Sequence, residues 1–254
     1  MVEKTDKPFE VRLVESPADI RALAAVFSRV WADNETFLYP PEVLRAISFA
    51  GGYVAGAYKN GEPVAASFGF RGRHLGAHVL HSHATGVVPG SEHSGIGMAL
   101  KEHQRKWAAD NDLSAITWTF DPLIRRNGYF NLGKLGARAV GYFENFYGDL
   151  PDDINANDET DRCIATWPTS EPILVPPKRG FVVLDADGVT CAAPGEDLVR
   201  NIHTPNDILD LRANDAEEAL RWRFAMRVAF DSAMSDGFIA TSCTRDGIYT
   251  LERR

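Results

Sequence analysis

The middle of the chain contains a strand that ends in a loop and leads directly into a helix. Residues 79–88 form an apolar run that stops at Pro89-Gly90, as a strand entering a loop does. From Ser94 onward the residues follow helical spacing, with Ile96, Leu100, His103 and Trp107 on one face and Lys101, Glu102, Gln104 and Arg105 on the other. The spacing therefore predicts that residues 94–97, Ser-Gly-Ile-Gly, form the N-terminus of a helix.

This predicted helix start has the chemistry of an anion-binding site. The first turn of a helix leaves backbone N–H groups without partners and carries the positive end of the helix dipole. Gly95 and Gly97 let a ligand approach the backbone closely, so a diphosphate could be bound by these N–H groups. A G-x-G spacing is equally typical of an ordinary helix start, so the glycines alone do not decide between the two interpretations.

The order of the predicted elements is more specific than the glycines. Ser16-Pro17 is typical of the start of a helix, and Asn60-Gly61 between two strand-like runs is typical of a hairpin turn. The predicted order is β, α, α, β, β, β, α, β, α, β. This order and the glycine loop resemble the GCN5-related N-acetyltransferase (GNAT) superfamily over about the first 165 residues.

The resemblance implies an α/β fold with a mixed, splayed central sheet flanked by helices, and acetyl-CoA or another acyl-CoA as co-substrate. The superfamily binds the coenzyme pyrophosphate at a Q/R-x-x-G-x-G/A loop, which corresponds here to Glu92, Gly95 and Gly97, with Glu92 where Gln or Arg is usual. It also places the pantetheine arm between the strand ending at Val88 and the strand from Ser114. The implied cofactor-binding residues are Val87, Val88, His93, Ser94, Gly95, Ile96, Gly97 and Met98, among which His93 and Ser94 offer replacement donors.

A second resemblance lies in residues 127–137, NGYFNLGKLGA. The superfamily has a tyrosine-bearing helix here, followed by a Leu-Gly-aromatic turn. Leu132 occupies the place of that tyrosine, and Tyr129, one turn earlier, is the nearest substitute as general acid. Together with HSHA, WTFDPL, NFYG and INANDETDR, the segment resembles a branch described only as predicted acyltransferases, some of which are linked to N-succinylation of amino acids.

Acyl transfer to an amine requires a base, because an alkylamine is almost entirely protonated at pH 7. His81 and His83 lie two apart on a strand, so either could accept a proton, although a buried, hydrogen-bonded histidine pair is the alternative. Asp121 could act as base or bind an ammonium group, and a helix N-cap is an equal interpretation. Asn127 and Asn131 could hold pantetheine or the acceptor, or be ordinary polar surface. The catalytic candidates are His83, Asp121 and Tyr129.

Composition limits the classes of partner. A formal net charge of −8 with scattered Lys and Arg disfavours nucleic acid. No apolar run reaches the ~20 residues of a membrane span, and the segment MVEKTDKPFE lacks the apolar core of a signal peptide, so we expect a cytoplasmic protein without membrane contact. The distant cysteines and the histidine spacing predict neither a disulfide framework nor a metal site.

The tail predicts an additional segment. A Pro-rich stretch, PTSEPILVPPKRG, follows Trp167, so we expect a GNAT domain over residues 1–167 and a C-terminal α/β extension over residues 168–254. Residues 199–208 repeat the form of residues 11–20, each a strand, a cap and a helix start. A partial second copy of the fold is therefore predicted, with a helix over residues 216–235 whose apolar stripe includes Leu220, Phe224, Val228 and Ala229.

The sequence thus predicts an acyl-CoA-dependent N-acyltransferase. It would move an acetyl or succinyl group to the amine of a small molecule, for example an amino acid, by direct attack. The alternative is a non-catalytic sensor of acyl-CoA or of a metabolite, in which Glu92 and the missing helix tyrosine reflect lost chemistry. A homodimer is compatible with either function.

Overall fold

The computed structural model describes residues 9–31, 38–91, 94–148, 158–170, 173–193 and 195–253. Over the first part of the chain, the helices and strands follow one another in the predicted order. The chain divides into two compact units, Met1–Thr117 and Trp118–Arg254. The predicted domain boundary after residue 167 lies inside the second unit and remains a prediction about the extent of the family domain.

The first unit is built on strands in the order β1-β2-β3-β4-β5. Its elements are β1 (Glu10–Leu13), α1 (Pro17–Trp31), α2 (Pro41–Phe49), β2 (Tyr53–Lys59), β3 (Glu62–His74), β4 (Ala77–Val87), α3 (Ile96–Asp110) and the first half of β5 (Ala115–Phe120). Neighbouring strands are antiparallel, except for the parallel pair β4 and β5. This parallel pairing runs only from Val79–Ala115 to His81–Thr117, while β4 continues to Val87. Such short pairing is what the predicted splayed sheet requires.

Short-range signals set the ends of these elements. The backbone N–H of Asp19 donates to the Ser16 hydroxyl at 3.1 Å, which caps the start of α1. Asn60 and Gly61 join β2 and β3 with φ of +54° and +85°, the left-handed conformation that a two-residue hairpin turn requires. Helix α3 begins at Ile96, as the glycine loop predicted.

Helices cover both faces of the first unit's sheet. On one face, α1 packs Leu23 and Phe27 against Phe68 and other core residues. On the other face, Ile96 and Leu100 of α3 pack against small residues of β2 and β3. Successive strand residues therefore face different helices, which determines where each candidate side chain of β4 lies.

The predicted polar face of α3 is partly buried, which corrects the sequence interpretation. Lys101 is 5% exposed and Gln104 is 0% exposed. Lys101 Nζ donates to Ser82 Oγ at 3.0 Å and to Gln104 Oε1 at 3.2 Å, and Gln104 Nε2 donates to Ser67 Oγ at 3.3 Å. Because β3 and β4 place hydroxyl groups under α3, polar side chains can be buried there. Burial lowers the pKa of Lys101 to about 7.

The buried amine of Lys101 predicts a pH dependence of stability. The ordinary lysine pKa is 10.5, so between about pH 7 and about pH 10.5 the unfolded chain holds a proton that the folded chain lacks. In this window the free energy of unfolding should rise by about 1.4 kcal/mol per pH unit. Lys101→Met should remove that rise, as measured by urea unfolding between about pH 7.5 and about pH 9.5.

A matched control is available on the same helix. Lys106 is 76% exposed and pairs with Asp110 at 2.7 Å, so Lys106→Met should leave the pH slope unchanged. If the free energy of unfolding still rises with pH in Lys101→Met, the rise does not come from the burial of Lys101.

The second unit contains the remaining elements. They are the second half of β5, α4 (Arg125–Gly128), a π-helix (Tyr129–Lys134), β6 (Arg138–Phe143), β7 (Arg162–Pro168), β8 (Phe181–Leu184), β9 (Val199–His203), α5 (Ile208–Asn214), α6 (Ala216–Ser235), β10 (Phe238–Cys243) and β11 (Ile248–Arg253). The strand order is β5-β7-β6-β10-β11-β9-β8. In the parts of the chain that the structure describes, no helix has the length and apolar character of a membrane span.

The tail has the order of elements of the predicted second copy but pairs its strands differently. β9, α5, α6, β10 and β11 repeat the order β, α, α, β, β. In the first unit, β1 pairs with the first strand of the following hairpin, β2. In the tail, β9 pairs with the second strand of the hairpin, β11. The predicted partial copy therefore does not extend to the pairing of its strands.

Two buried arginines of the tail pair with two carboxylates that precede it in sequence. Arg212 of α5 and Arg223 of α6 each bond both Asp121 and Asp158, at nitrogen–oxygen distances of 2.7 to 2.9 Å. We call these four residues the buried ion cluster, since no side chain among them is more than 7% exposed. The cluster fixes residues beyond 168 to residues before 168, so the second unit is continuous across the predicted boundary.

The helix predicted over residues 216–235 is present as α6, but its predicted apolar stripe faces water. Leu220, Phe224 and Val228 are 44%, 47% and 57% exposed. The buried face carries Ala219, Trp222, Arg223, Met226, Ala229, Phe230 and Ala233. Of the predicted stripe only Ala229 is buried. The prediction was wrong because Arg223, which belongs to the buried ion cluster, lies on the buried face of α6.

Candidate functional site

Strand β4 is irregular at the predicted catalytic histidine. The register between β3 and β4 shifts between Phe68, which lies opposite Ala84, and Gly69, which lies opposite Ser82. His83 is therefore the extra residue of a β-bulge and does not alternate with Ala84 in the usual way. Ala84 packs with Phe68 in the core under α1, and the ring of His83 lies 5.2 Å from the ring of Phe68. Both residues consequently face α1 and α2.

Aromatic rings surround the two histidines on this face. The ring centroids of His81 and His83 are 6.4 Å apart, and that of Phe70 lies 5.2 Å from His81 and 6.1 Å from His83. Tyr39 makes an edge contact with His83 at 5.6 Å. We call Tyr39, Phe68, Phe70, His81 and His83 the histidine cluster. The spacing of the histidines predicted their common face, whereas the three aromatic residues were missed because they come from another strand and from the segment before α2.

The surroundings of the histidine cluster favour neutral imidazoles. Burial lowers the pKa of His83 below its ordinary value of 6.5. For His81, burial together with the charges of His83 and Lys101 lowers the pKa to about 4. His81 Nδ1 also lies 3.2 Å from the hydroxyl of Thr117. Both histidines are therefore neutral at pH 7, and His83 is the stronger base because its pKa is lowered less.

The start of α3 is open and has backbone donors to offer. Gly95 precedes the helix with φ of +80°, a conformation that favours glycine, and a Cβ at this position would meet no atom within 4 Å. No side chain of the described residues caps the helix, so the N–H groups of Ile96, Gly97 and Met98 in its first turn have no intrahelical partner. This open, uncapped turn fits a bound diphosphate.

The side chains at the same place are engaged elsewhere. The Ser94 hydroxyl donates to the Ser91 carbonyl at 2.6 Å, so in this conformation its proton is not directed to a phosphate. The side chain of Ile96 is 3% exposed and belongs to the core under α3. Glu92 and His93 lie outside the described residues. The backbone, rather than these side chains, is thus the candidate ligand of an anion.

The two valines at the end of β4 differ in orientation. Val88 donates its N–H to the Val64 carbonyl at 3.0 Å, and its own carbonyl accepts from Ser91 at 3.1 Å. Hydrogen-bonding directions alternate along an antiparallel ladder, so the backbone N–H and C=O of Val87 point away from β3. Val87 therefore keeps backbone groups for a ligand, whereas those of Val88 are occupied.

Asp121 belongs to the buried ion cluster in the second unit. Burial alone would raise its pKa, but the charges of Arg223 and Arg212 outweigh burial and hold the pKa well below its usual range. Its Oδ1 also accepts from the backbone N–H of Leu123 at 2.9 Å. A carboxylate with these partners and 4% exposure is a poor proton acceptor, which argues against the predicted base. Asp121 is not the predicted helix N-cap either, because the N-cap of α4 is Ile124; its bond to Leu123 closes the turn before that helix.

The segment NGYFNLGKLGA forms α4 followed by the π-helix instead of one α-helix. The N–H of Leu135 bonds the carbonyl of Phe130, five residues earlier, at 3.0 Å. π-Helical turns are rare in proteins, and many of those that occur lie at functional sites. Gly128 allows close packing here, since a Cβ at that position would lie 2.2 Å from the hydroxyl of Tyr249.

The predicted residues of this segment differ in burial. Asn127 and Tyr129 are half-buried, and Asn131 is 6% exposed. Lys134 Nζ lies 5.4 Å from the ring centroid of Tyr129. Leu132, at the position of the family tyrosine, is 0% exposed, so it is a core residue here. Tyr129 and the two asparagines remain candidates for the general acid and for ligand contacts.

Comparison with known proteins identifies the family. A model of the acetyltransferase (GNAT) domain matches residues 2–121, and a search of curated proteins found no match. Among solved structures, yncA from Salmonella typhimurium, solved with its cofactor acetyl-CoA, has a TM-score of 0.52 at 12% identity, covering 65% of this chain and 95% of that one. The ribosomal-protein-alanine N-acetyltransferase from Brucella melitensis has a TM-score of 0.51 at 16% identity, covering 63% and 99%.

A third structure, an acetyltransferase of the GNAT family from Streptococcus pneumoniae, has a TM-score of 0.50 at 16% identity, covering 62% of this chain and 98% of that one. Similarity at this level of identity shows a common fold, and the family model adds agreement in sequence over residues 2–121. The mixed α/β fold and the predicted family are thereby confirmed. Residues 2–121 are a GNAT acetyltransferase domain, and acetyltransferases of this superfamily use acetyl-CoA as the acyl donor.

Proposed function

We propose that this protein transfers an acyl group from acyl-CoA to the amine of a small molecule by direct attack, with His83 as the general base. The observation that carries the proposal is the placement of His83 at the bulge of β4, half-buried and with its pKa lowered by burial. An imidazole that is neutral at pH 7 can accept the proton that an ammonium group must lose before it attacks.

The co-substrate would be held by backbone groups of the first unit. The N–H groups of residues 96–98 would bind its diphosphate, and Val87 would bond the pantetheine arm. Bound acyl-CoA supplies a thioester whose carbonyl carbon is attacked by the amine, so that a C–N bond forms and the C–S bond breaks. His83 accepts the proton from the amine, and the departing thiolate takes a proton from water.

The direct test is thiol release by the purified protein. It should be incubated with acetyl-CoA or succinyl-CoA and a panel of amines that includes amino acids. The panel should also include a peptide with an N-terminal alanine, since the Brucella melitensis neighbour is a ribosomal-protein-alanine N-acetyltransferase. Turnover with a small amine supports the proposal, turnover with the peptide alone replaces the acceptor class, and no turnover with any pair refutes acyl transfer.

The glycine at the helix start should be needed for coenzyme binding. A residue other than glycine in the left-handed conformation costs about 1–2 kcal/mol, and a β-branched one costs more because it is stiff. Gly95→Val should therefore shift the backbone donors of α3 and raise the Kd for CoA by about tenfold or more, since about 1.4 kcal/mol corresponds to tenfold. Isothermal titration calorimetry measures this change.

Gly76 provides the control for that experiment. It lies in the turn between β3 and β4 with φ of +83°, and a Cβ there would also meet no atom within 4 Å. Gly76→Val introduces the same backbone strain away from the helix start, so it should leave the Kd for CoA unchanged. Equal effects of the two substitutions would contradict a specific role of Gly95.

The second candidate function is a sensor that binds acyl-CoA or a metabolite without turnover. It is favoured by the buried Leu132 at the position of the family tyrosine and by the engagement of Asp121 with two arginines. Calorimetry that detects CoA binding in a protein that releases no thiol with any amine would support this function over acyl transfer.

A further inference from the structure

A groove between α2 and β3 opens next to the histidine cluster. Its volume is about 490 Å³, which lies in the range of small-molecule sites. It is lined mainly by apolar side chains, among them Val43, Ala46 and Ile47 of α2 and Phe70 of β3. Val43 is 47% exposed and Phe70 is 42% exposed, so both present apolar surface to the groove that a ligand could cover.

Phe70 connects the groove with the candidate base. Its ring lines the groove and lies 6.1 Å from the ring of His83 and 5.2 Å from that of His81. A ligand in the groove is therefore separated from both imidazoles by a single aromatic ring. The groove and the candidate base thus share one wall, the ring of Phe70.

The groove is bordered by one carboxylate, Glu42, and one guanidinium, Arg71. Glu42 lines it and makes no ion pair with any residue that the structure describes. Arg71 donates to the Gly51 carbonyl at 2.8 Å and to Asn111 Oδ1 at 2.6 Å, so these N–H groups are directed to neutral acceptors and not to Glu42. An alkylamine arrives as an ammonium ion at pH 7, which suits a carboxylate beside an apolar surface.

We propose that this groove binds the apolar substituent of the acceptor amine. The acceptor class would then be a primary amine that carries an aliphatic or aromatic group of about the size of a leucine or phenylalanine side chain. The inference rests on the proposed function, because it assigns the acceptor of that reaction. Glu42 attracts the ammonium group, the groove holds the apolar group, and His83 takes the proton.

Two amines and two matched variants test the proposal. Phenethylamine and ethanolamine differ mainly in their apolar group, and their binding is measured by calorimetry with and without saturating CoA. Val43→Asn makes the groove polar. Val228→Asn makes the same change at a helical valine of the second unit, which is 57% exposed and is not part of the groove lining.

We expect phenethylamine to bind at least tenfold more tightly than ethanolamine. Val43→Asn should weaken the binding of phenethylamine at least fivefold and leave that of ethanolamine unchanged, and Val228→Asn should change neither. Equal binding of the two amines, absence of binding by phenethylamine, or equal effects of the two variants would overturn the assignment. Thiol release is assayed in parallel to distinguish the two proposals. If phenethylamine binds in a way that depends on Val43 but no thiol is released, acyl transfer is refuted, and the groove is still a binding site for apolar amines.

Discussion

An Arg223→Met variant should lose about 3–5 kcal/mol of unfolding free energy, the cost of breaking a buried ion pair from one side. Arg223 is 0% exposed and bonds Asp121 at 2.9 Å and Asp158 at 2.8 Å. Methionine replaces the aliphatic stem of the arginine but carries no guanidinium, so the two carboxylates would share Arg212 alone. Urea or guanidinium unfolding at pH 7 measures the loss.

The adjacent residue on α6 serves as the control. Arg221 is 44% exposed and pairs with Glu218 and two backbone carbonyls. Arg221→Met should cost at most about 1 kcal/mol, as is usual for exposed ion pairs. An Arg223→Met protein within about 1 kcal/mol of the wild type would show that the ion cluster contributes much less than a buried ion pair usually does.

The order of elements could be predicted from the sequence because its signals are local. The Ser16 cap, the Asn60-Gly61 turn and the glycines before α3 each act within a few residues. Such signals depend on backbone conformation and on hydrogen bonds that close within one turn. They can therefore be recognised in a single sequence without knowledge of the long-range contacts.

The buried polar groups could not be predicted in this way. Arg212 and Arg223 lie 91 and 102 residues from Asp121. No local sequence pattern around an arginine predicts a partner at such a distance along the chain. Periodicity then assigns a charged residue to the surface, which placed the buried face of α6 on the wrong side. The same limit explains why Lys101 and Gln104 were assigned to the exposed face of α3.

Strand β4 of the candidate site has one feature that the sequence predicted and others that it could not predict. The two-residue spacing of His81 and His83 was sufficient to place them on one face, because alternation is a property of the strand itself. The bulge at His83 was not predictable, because an extra residue is defined only against the partner strand β3. For the same reason, the sequence could not show that the backbone N–H of Val88 is already bonded to the carbonyl of Val64.

Replacing His83 by alanine should lower kcat by about 10²-fold or more, which is the usual contribution of a general base. The variant leaves the amine without a nearby proton acceptor, since His81, with a pKa of about 4 and a contact with Thr117, is much the weaker base. The effect should appear in kcat, with the Kd for CoA unchanged. Steady-state thiol release at pH 7 measures it.

The pH profile separates a base from a residue that only supports the fold. His83 must be neutral to accept a proton, so the rate falls as the pH drops through its pKa, and burial places that pKa below 6.5. The wild-type enzyme should therefore show an acidic limb below this pH that the His83→Ala variant lacks. His78→Ala, which removes an exposed histidine from the same strand, should keep both the rate and the limb, and an unchanged kcat in His83→Ala would assign the proton to another acceptor.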